Sequence, residues 1–226
     1  MQPADIDSRD SGLIQIVDAA MAEAVRRSGP WLVCKLGCSQ CCLGPFPISP
    51  LDVRRLRRGL AELQTRDPER AGRIRSRARE YVARVSPDFP GDPATGLLDD
   101  SAEGEKRFVT FADDEPCPAL DPGTGGCDLY SARPMTCRTF GPPMRGDDGL
   151  VVCELCYDGA SESEIESCEV DADPDGIEST LLDELEQTNG EAGETIVAFC
   201  LALTVQDLQD LSPSSRSPSS VSSARP

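Results

Sequence analysis

The chain has eleven cysteines and no histidine in its 226 residues. Four of the thiols fall in CKLGCSQCC, at Cys34, Cys38, Cys41 and Cys42. A second run carries Cys117, Cys127 and Cys137, and Cys153 with Cys156 forms a close pair. Nine cysteines therefore lie in three packets separated by long stretches of chain. The absence of imidazole excludes Cys2His2 and Cys3His zinc sites, Rieske ligation, metalloprotease helices and every Ser-His or Cys-His catalytic pair. A metal ion on this chain has to sit on sulfur, with Asp and Glu as the remaining side-chain donors.

Whether clustered thiols pair with one another or bind metal depends on the redox compartment. The N-terminus, MQPADIDSRD, is acidic and lacks the apolar stretch of a secretory leader; Leu13 to Val25 is amphipathic and interrupted by Asp18 and Glu23. Neither export nor a membrane span is expected, and a reducing, cytoplasmic setting favours metal ligands or reactive thiols over bridges. Hydrophobic content of 38% with 4% aromatic residues implies a thin core that gains from a metal centre. The net charge of −18, from 22 basic and 40 acidic side chains, repels nucleic acid and anionic lipid, so neither is expected as a partner.

The periodicity predicts a mainly α fold with short irregular β segments. It forms a small metal-organised cysteine-cluster domain over residues 11–210 with helical extensions, between a disordered N-terminus (1–10) and a disordered Ser/Pro tail (211–226). Ile14, Ile16, Val17, Ala20, Met21 and Ala24 recur at helical spacing up to the stop at Ser28-Gly29-Pro30. Trp31, Leu32 and Val33 then supply an apolar wall beside Cys34. Gly37 favours a turn within the first packet. Adjacent Cys41 and Cys42 point apart on a helix or a strand, which suits two metals, a cluster, or one ligand beside one supporting thiol. SPLD over 49–52 reads as a helix start, with Ser49 as N-cap, Pro50 at N1 and Asp52 at N3. Leu51, Val53, Leu56, Leu60 and Leu63 form the buried stripe of that helix, and Arg54, Arg55, Arg57 and Arg58 lie mostly opposite it. A second arginine-rich helix spans 68–85. Residues 86–105 read as an irregular loop and Arg107–Phe111 as a strand. Gly123 to Gly126 is the turn that returns Cys127 to Cys117; no Lys-Ser/Thr follows it, which excludes a phosphate loop. Leu150 to Val152 is a short strand, and helices are expected over 177–187, ended by Asn189-Gly190, and from 195 to about 208.

In order, Cys-x3-Cys-x2-Cys-Cys, then Cys117-Pro-Ala-Leu, then Cys127-Asp-Leu-Tyr130-x2-Arg133-Pro134-x2-Cys137-Arg138-Thr-Phe140 resemble the YkgJ-type cysteine-cluster family, described as a zinc- or iron-chelating CxxCxxCC domain. The resemblance runs from Cys34 to Cys156. The first interval holds three residues where the family has two, and the segment beyond Cys156 has no counterpart. Ligation by Cys34, Cys38, Cys41, Cys42, Cys117, Cys127 and Cys137 is what the resemblance implies, with Cys153 or Cys156 as the eighth. It further implies zinc or iron as cofactor, an iron–sulfur cluster included: some members are called iron–sulfur oxidoreductases, and a similar domain occurs in flagellin lysine methylases.

Charge balance gives Arg133 and Arg138 a supporting role, since four thiolates on a divalent ion leave an excess of two negative charges that a guanidinium offsets. Tyr130 and Phe140 read as wall residues. The Cys153–Cys156 pair reads as part of the metal site in preference to a redox dithiol. Cys168 is unassigned and Cys200, inside the apolar run IVAFCLAL, is a buried structural thiol. No catalytic residue is assigned. Two alternatives stay open: a structural zinc scaffold whose arginine-rich helices, 50–85, meet an acidic protein partner, and a metal-free thiol redox sensor.

Overall fold

The computed structural model describes residues 3–35, 37–146 and 149–202. Among the described residues eight α-helices succeed one another: α1 (Pro3–Ser28), α2 (Pro50–Arg66), α3 (Pro68–Val85), α4 (Ala102–Phe108), α5 (Met135–Thr139), α6 (Glu162–Ser167), α7 (Ile177–Asn189) and α8 (Val197–Ala202). Two antiparallel hairpins interrupt them, β1 (Gly91–Asp92) with β2 (Leu97–Leu98) and β3 (Met144–Gly146) with β4 (Gly149–Val151). The chain is thus mainly α with short irregular β segments, as its periodicity predicts.

Local signals set the ends of the central helices. Ser49 accepts from the Asp52 N–H while the Asp52 carboxylate accepts from the Ser49 N–H, so two of the unpaired donors at the start of α2 are satisfied. The Asp67 side chain caps α3 by accepting from the Arg70 N–H at 3.0 Å. Gly190 closes α7 in the left-handed conformation at φ 68°.

These helices enclose three apolar clusters. In the first, Leu56, Leu60 and Leu63 of α2 meet Ala71, Ile74 and Ala78 of α3, with Val197, Cys200 and Leu201 of α8 filling the angle between them. Burial pushes the Cys200 thiol up to about 12, so it is a neutral core side chain. In the second, Ile6, Leu13, Val17 and Met21 of α1 pack on Leu181 and Leu185 of α7. The third is aromatic: Phe89 lies edge-on to Phe111 at 5.7 Å and against Phe199 at 4.5 Å.

Three local expectations differ from the fold, each for a tertiary reason. The stretch expected to be disordered at the N-terminus is helical from Pro3, because Ile6 and Asp10 are buried against α2 and α7. Arg55, read as lying with its neighbours opposite the buried stripe, is only 2% exposed and is enclosed by Asp10, Asp52 and Glu178. Residues 107–111 form the end of α4 and a turn instead of a strand. Ser101 caps that helix at the Gly104 N–H, acids occupy its first turn, and Lys106 and Arg107 its last. The helix expected to reach about 208 is described only to Ala202, and the Ser/Pro tail lies outside the described residues.

Six of the eleven arginines of α2 and α3 are paired with acids within the fold, Arg55 among them. Arg54 and Arg58 reach Asp7, Arg70 and Arg77 reach Asp128, and Arg84 reaches Glu115. These pairs leave fewer free charges on the 50–85 surface than the arginine count suggests.

Candidate metal centre

Backbone hydrogen bonds stitch the thiol-bearing segments together. The Cys117 N–H donates to the Cys42 carbonyl at 2.7 Å and the Gly44 N–H to the Glu115 carbonyl at 3.0 Å, joining the first packet to the second. The 121–126 turn closes through the Asp121 N–H on the Gly126 carbonyl at 2.8 Å, and the Asp128 N–H reaches the Ala119 carbonyl at 2.7 Å. Cys127 is thereby returned beside Cys117, as the glycines of that turn predict. Cys137 arrives on α5, whose first N–H, that of Met135, donates to Asp52 Oδ1 at 2.8 Å. Ahead of α5, Ala132 lies flat on α2 at Gly59, where an added Cβ would stand 2.3 Å from the Ala132 Cβ. The last pair is anchored by Tyr157, whose N–H donates to the Trp31 carbonyl at 2.9 Å and whose hydroxyl meets Ser28 Oγ at 2.5 Å. Tyr157 holds φ at 61°, the left-handed region that costs a non-glycine residue roughly 1–2 kcal/mol, so these contacts act against local strain.

The result is one cavity of about 770 Å³, lined by Cys34, Cys38, Cys41, Cys42, Cys117, Cys127, Cys137 and Cys153 together with Tyr130, Arg133, Arg138 and Phe140. The C-terminal half of α1 walls it through Asp18, Met21 and Val25.

The cavity thiols, with Cys156 buried just behind the lining, fall into two groups by mutual electrostatic reach. Cys41, Cys42, Cys117, Cys127 and Cys137 act on one another. Cys34 instead faces Cys156, Cys153 and Cys38. The Sγ atoms of Cys34 and Cys156 are 3.9 Å apart, close to the edge of about 3.8 Å expected between sulfurs on a tetrahedron with 2.3 Å metal–sulfur bonds. Cys41 and Cys42 share a 3-10 turn, Gln40–Cys42, which sends both side chains to the first group. Cys168 lies in one buried cluster with Cys153, Cys156 and Tyr157.

Burial pushes Cys117 up to about 12 and raises Cys127, Cys137 and Cys153, with neighbouring thiols adding to the effect; Cys34, exposed as a residue, is raised by partial desolvation of its thiol and by Cys156, Cys153 and Cys38. Cys42 is raised by its neighbour Cys41 and by burial. Cys41 is the exception at about 6, because Cys42 donates to its thiolate and Arg133 adds positive charge. Backbone donors oppose the penalty: the N–H groups of Ala119 and Leu120 aim at Cys117, that of Leu129 at Cys127, and those of Leu155 and Cys156 at Cys153. Thiols crowded together, resisting ionisation, yet supplied with donors that favour the thiolate, suit a soft divalent cation. The donor set therefore fits zinc or iron. Among the described residues no three Cys, Asp or Glu side chains already stand close enough together to hold one ion. Closure on a metal would need thiol rotation about χ1, which moves a sulfur by roughly 3 Å.

The two arginines singled out from sequence divide in role. Arg133 lowers Cys41 and Cys127, and its guanidinium stacks on the Tyr130 ring at 3.9 Å. Arg138 instead braces α5, donating to Asp18 Oδ1 at 2.9 Å and to the Ser131 carbonyl. Tyr130 and Phe140 are exposed at the cavity mouth, as wall residues. Sequence reasoning missed the supports: Asp52, recognised only as the N3 residue of α2, also anchors α5, and the Asp128 carboxylate is buried between arginines of α3. Adjacency of Asp128 to a cysteine was the one available signal.

A centre of this kind, sulfur-rich and without imidazole, defines a metal-chelating domain. The profile of the CxxCxxCC family, described as a "putative zinc- or iron-chelating domain", matches residues 33–157, and the chain belongs to this family. No curated protein and no solved structure matches it. Among the described residues no helix is long and apolar enough to cross a membrane.

Proposed function

We propose that the protein holds zinc or iron through cysteine thiolates in two centres that share one cavity. Cys41, Cys42, Cys117, Cys127 and Cys137 serve the first; Cys34, Cys38, Cys153 and Cys156 serve the second. The observation that carries the reading is the gathering of thiols from the three sequence packets, more than 80 residues apart in the chain for Cys34 and Cys117, around a single cavity. A bound ion would supply Lewis-acid or redox chemistry according to its identity. The chain's own part is to hold the thiolates, with backbone N–H groups and Arg133 offsetting their charge. Four thiolates would close the second centre, whereas the fifth thiol of the first leaves one sulfur as a bridge or a supporting neighbour.

The test is metal analysis and visible absorption of protein purified without air. The expected result is about two equivalents per chain for single zinc or iron ions, colourless for zinc, or brown protein with about four or more irons and matching inorganic sulfide if the centres hold iron–sulfur clusters. A metal-free chain that unfolds identically with and without chelator would overturn the proposal and favour a plain thiol protein.

A further inference from the structure

We infer that Arg77 is a positioning residue for the first metal centre, setting the separation between Cys117 and Cys127; this rests on the thiolate reading above. Arg77 Nε donates to the Pro118 carbonyl at 2.9 Å, and its terminal Nη2 donates to Asp128 Oδ2 at 2.6 Å. Pro118 follows Cys117 in the chain and Asp128 follows Cys127. One side chain thus grips the residue next to each of two thiols.

The grip has a fixed shape, because a guanidinium is planar and its donors diverge at set angles. It is also anchored. Arg77 rises from the middle of α3, whose Ile74, Ala78 and Tyr81 are buried in the core. The second oxygen of Asp128 accepts from Arg70 Nε at 2.5 Å, so a carboxylate only 2% exposed has both oxygens paired. The two gripped segments also carry backbone N–H groups that favour the thiolates, Ala119 and Leu120 for Cys117 and Leu129 for Cys127, as Leu155 and Cys156 do for Cys153. A shift of either segment moves a sulfur and its supporting donors together. Among the described residues Cys34, Cys38, Cys153 and Cys156 have no such link to α3, so the device belongs to one centre.

The test is a cobalt(II) titration of the full chain without air, read by the sulfur-to-cobalt charge-transfer band. Cys137→Ala and Cys156→Ala identify which cobalt equivalent belongs to which centre. In Arg77→Met the equivalent removed by Cys137→Ala is expected to bind about 10–100-fold more weakly, the range for loss of an outer support, while the other is unchanged. Arg77→Lys keeps the charge and the helix but cannot meet both acceptors at once, and should lie between. Arg75→Met, which removes a contact from α3 to Gln64 on α2 and none to a thiol-bearing segment, should bind like the parent. Unchanged affinity in both Arg77 variants overturns the inference, as does an equal loss at both centres, which would mark general destabilisation. A parent chain that takes up no cobalt overturns the thiolate reading and this inference with it.

Discussion

Arg55→Met is expected to destabilise the chain by about 3–5 kcal/mol, the usual cost of removing one partner from a buried ion pair. Arg55 holds Asp10 through two donors, with Nε–Oδ1 at 2.9 Å and Nη2–Oδ1 at 2.5 Å, and reaches Asp52 Oδ1 at 2.6 Å. Asp10 and Asp52 are 2% and 3% exposed, so neither regains water when the cation is lost. The effect extends to the thiols, because the Asp52 oxygen that meets Arg55 also accepts the Met135 N–H at the start of the helix carrying Cys137. Urea unfolding of the metal-loaded protein would show the loss as a lower midpoint with little change in slope. Adding Asp10→Leu should restore part of it, since an apolar pair no longer buries an unmatched charge. A midpoint within about 0.5 kcal/mol of the parent would show that water or a rearranged partner already satisfies those carboxylates.

Chelation should produce the other large effect, confined to one part of the molecule. Binding energy at structural thiolate sites is folding energy, about 10–16 kcal/mol for zinc in small finger domains. Here α1, α2, α3, α7 and α8 have apolar clusters of their own, whereas the stretches around 31–45 and 115–157 consist of turns and short elements. Removing the metal is therefore expected to leave most of the far-ultraviolet helical signal intact. Amide protection between residues 115 and 157 should fall by about 100-fold or more, because local opening there would no longer break metal–sulfur bonds. Hydrogen exchange with and without chelator reads this directly. Uniform loss of protection would mean that the helices also depend on the metal, and no loss would mean that the thiols hold none.

What could be read from sequence follows from how local each cause is. The start of α2 at Ser49-Pro50-Leu51-Asp52, the span of α3 and the stop at Gly190 depend on residues a few positions apart, and all three are legible. The return of Cys127 to Cys117 is legible because the glycine-rich turn is local too. The burial of Arg55 is not, since its main partner, Asp10, lies 45 residues away in a stretch that looks disordered by itself. Phe111 illustrates the same limit: its β-forming character suits a strand, but contact with Phe89 places it in an aromatic cluster beside α3. The division of the thiols is hidden for a related reason. Cys38 and Cys41 are three residues apart, yet they join different groups because Cys153 and Cys156 meet one end of the packet and Cys117 and Cys127 the other.

Metal-edge X-ray absorption of the protein purified without air tests most directly whether these sulfurs clasp an ion. For zinc, a coordination shell made only of sulfur at about 2.3 Å is the predicted result. A shell of oxygen at about 2.0 Å, or protein that is folded and free of metal, would contradict it.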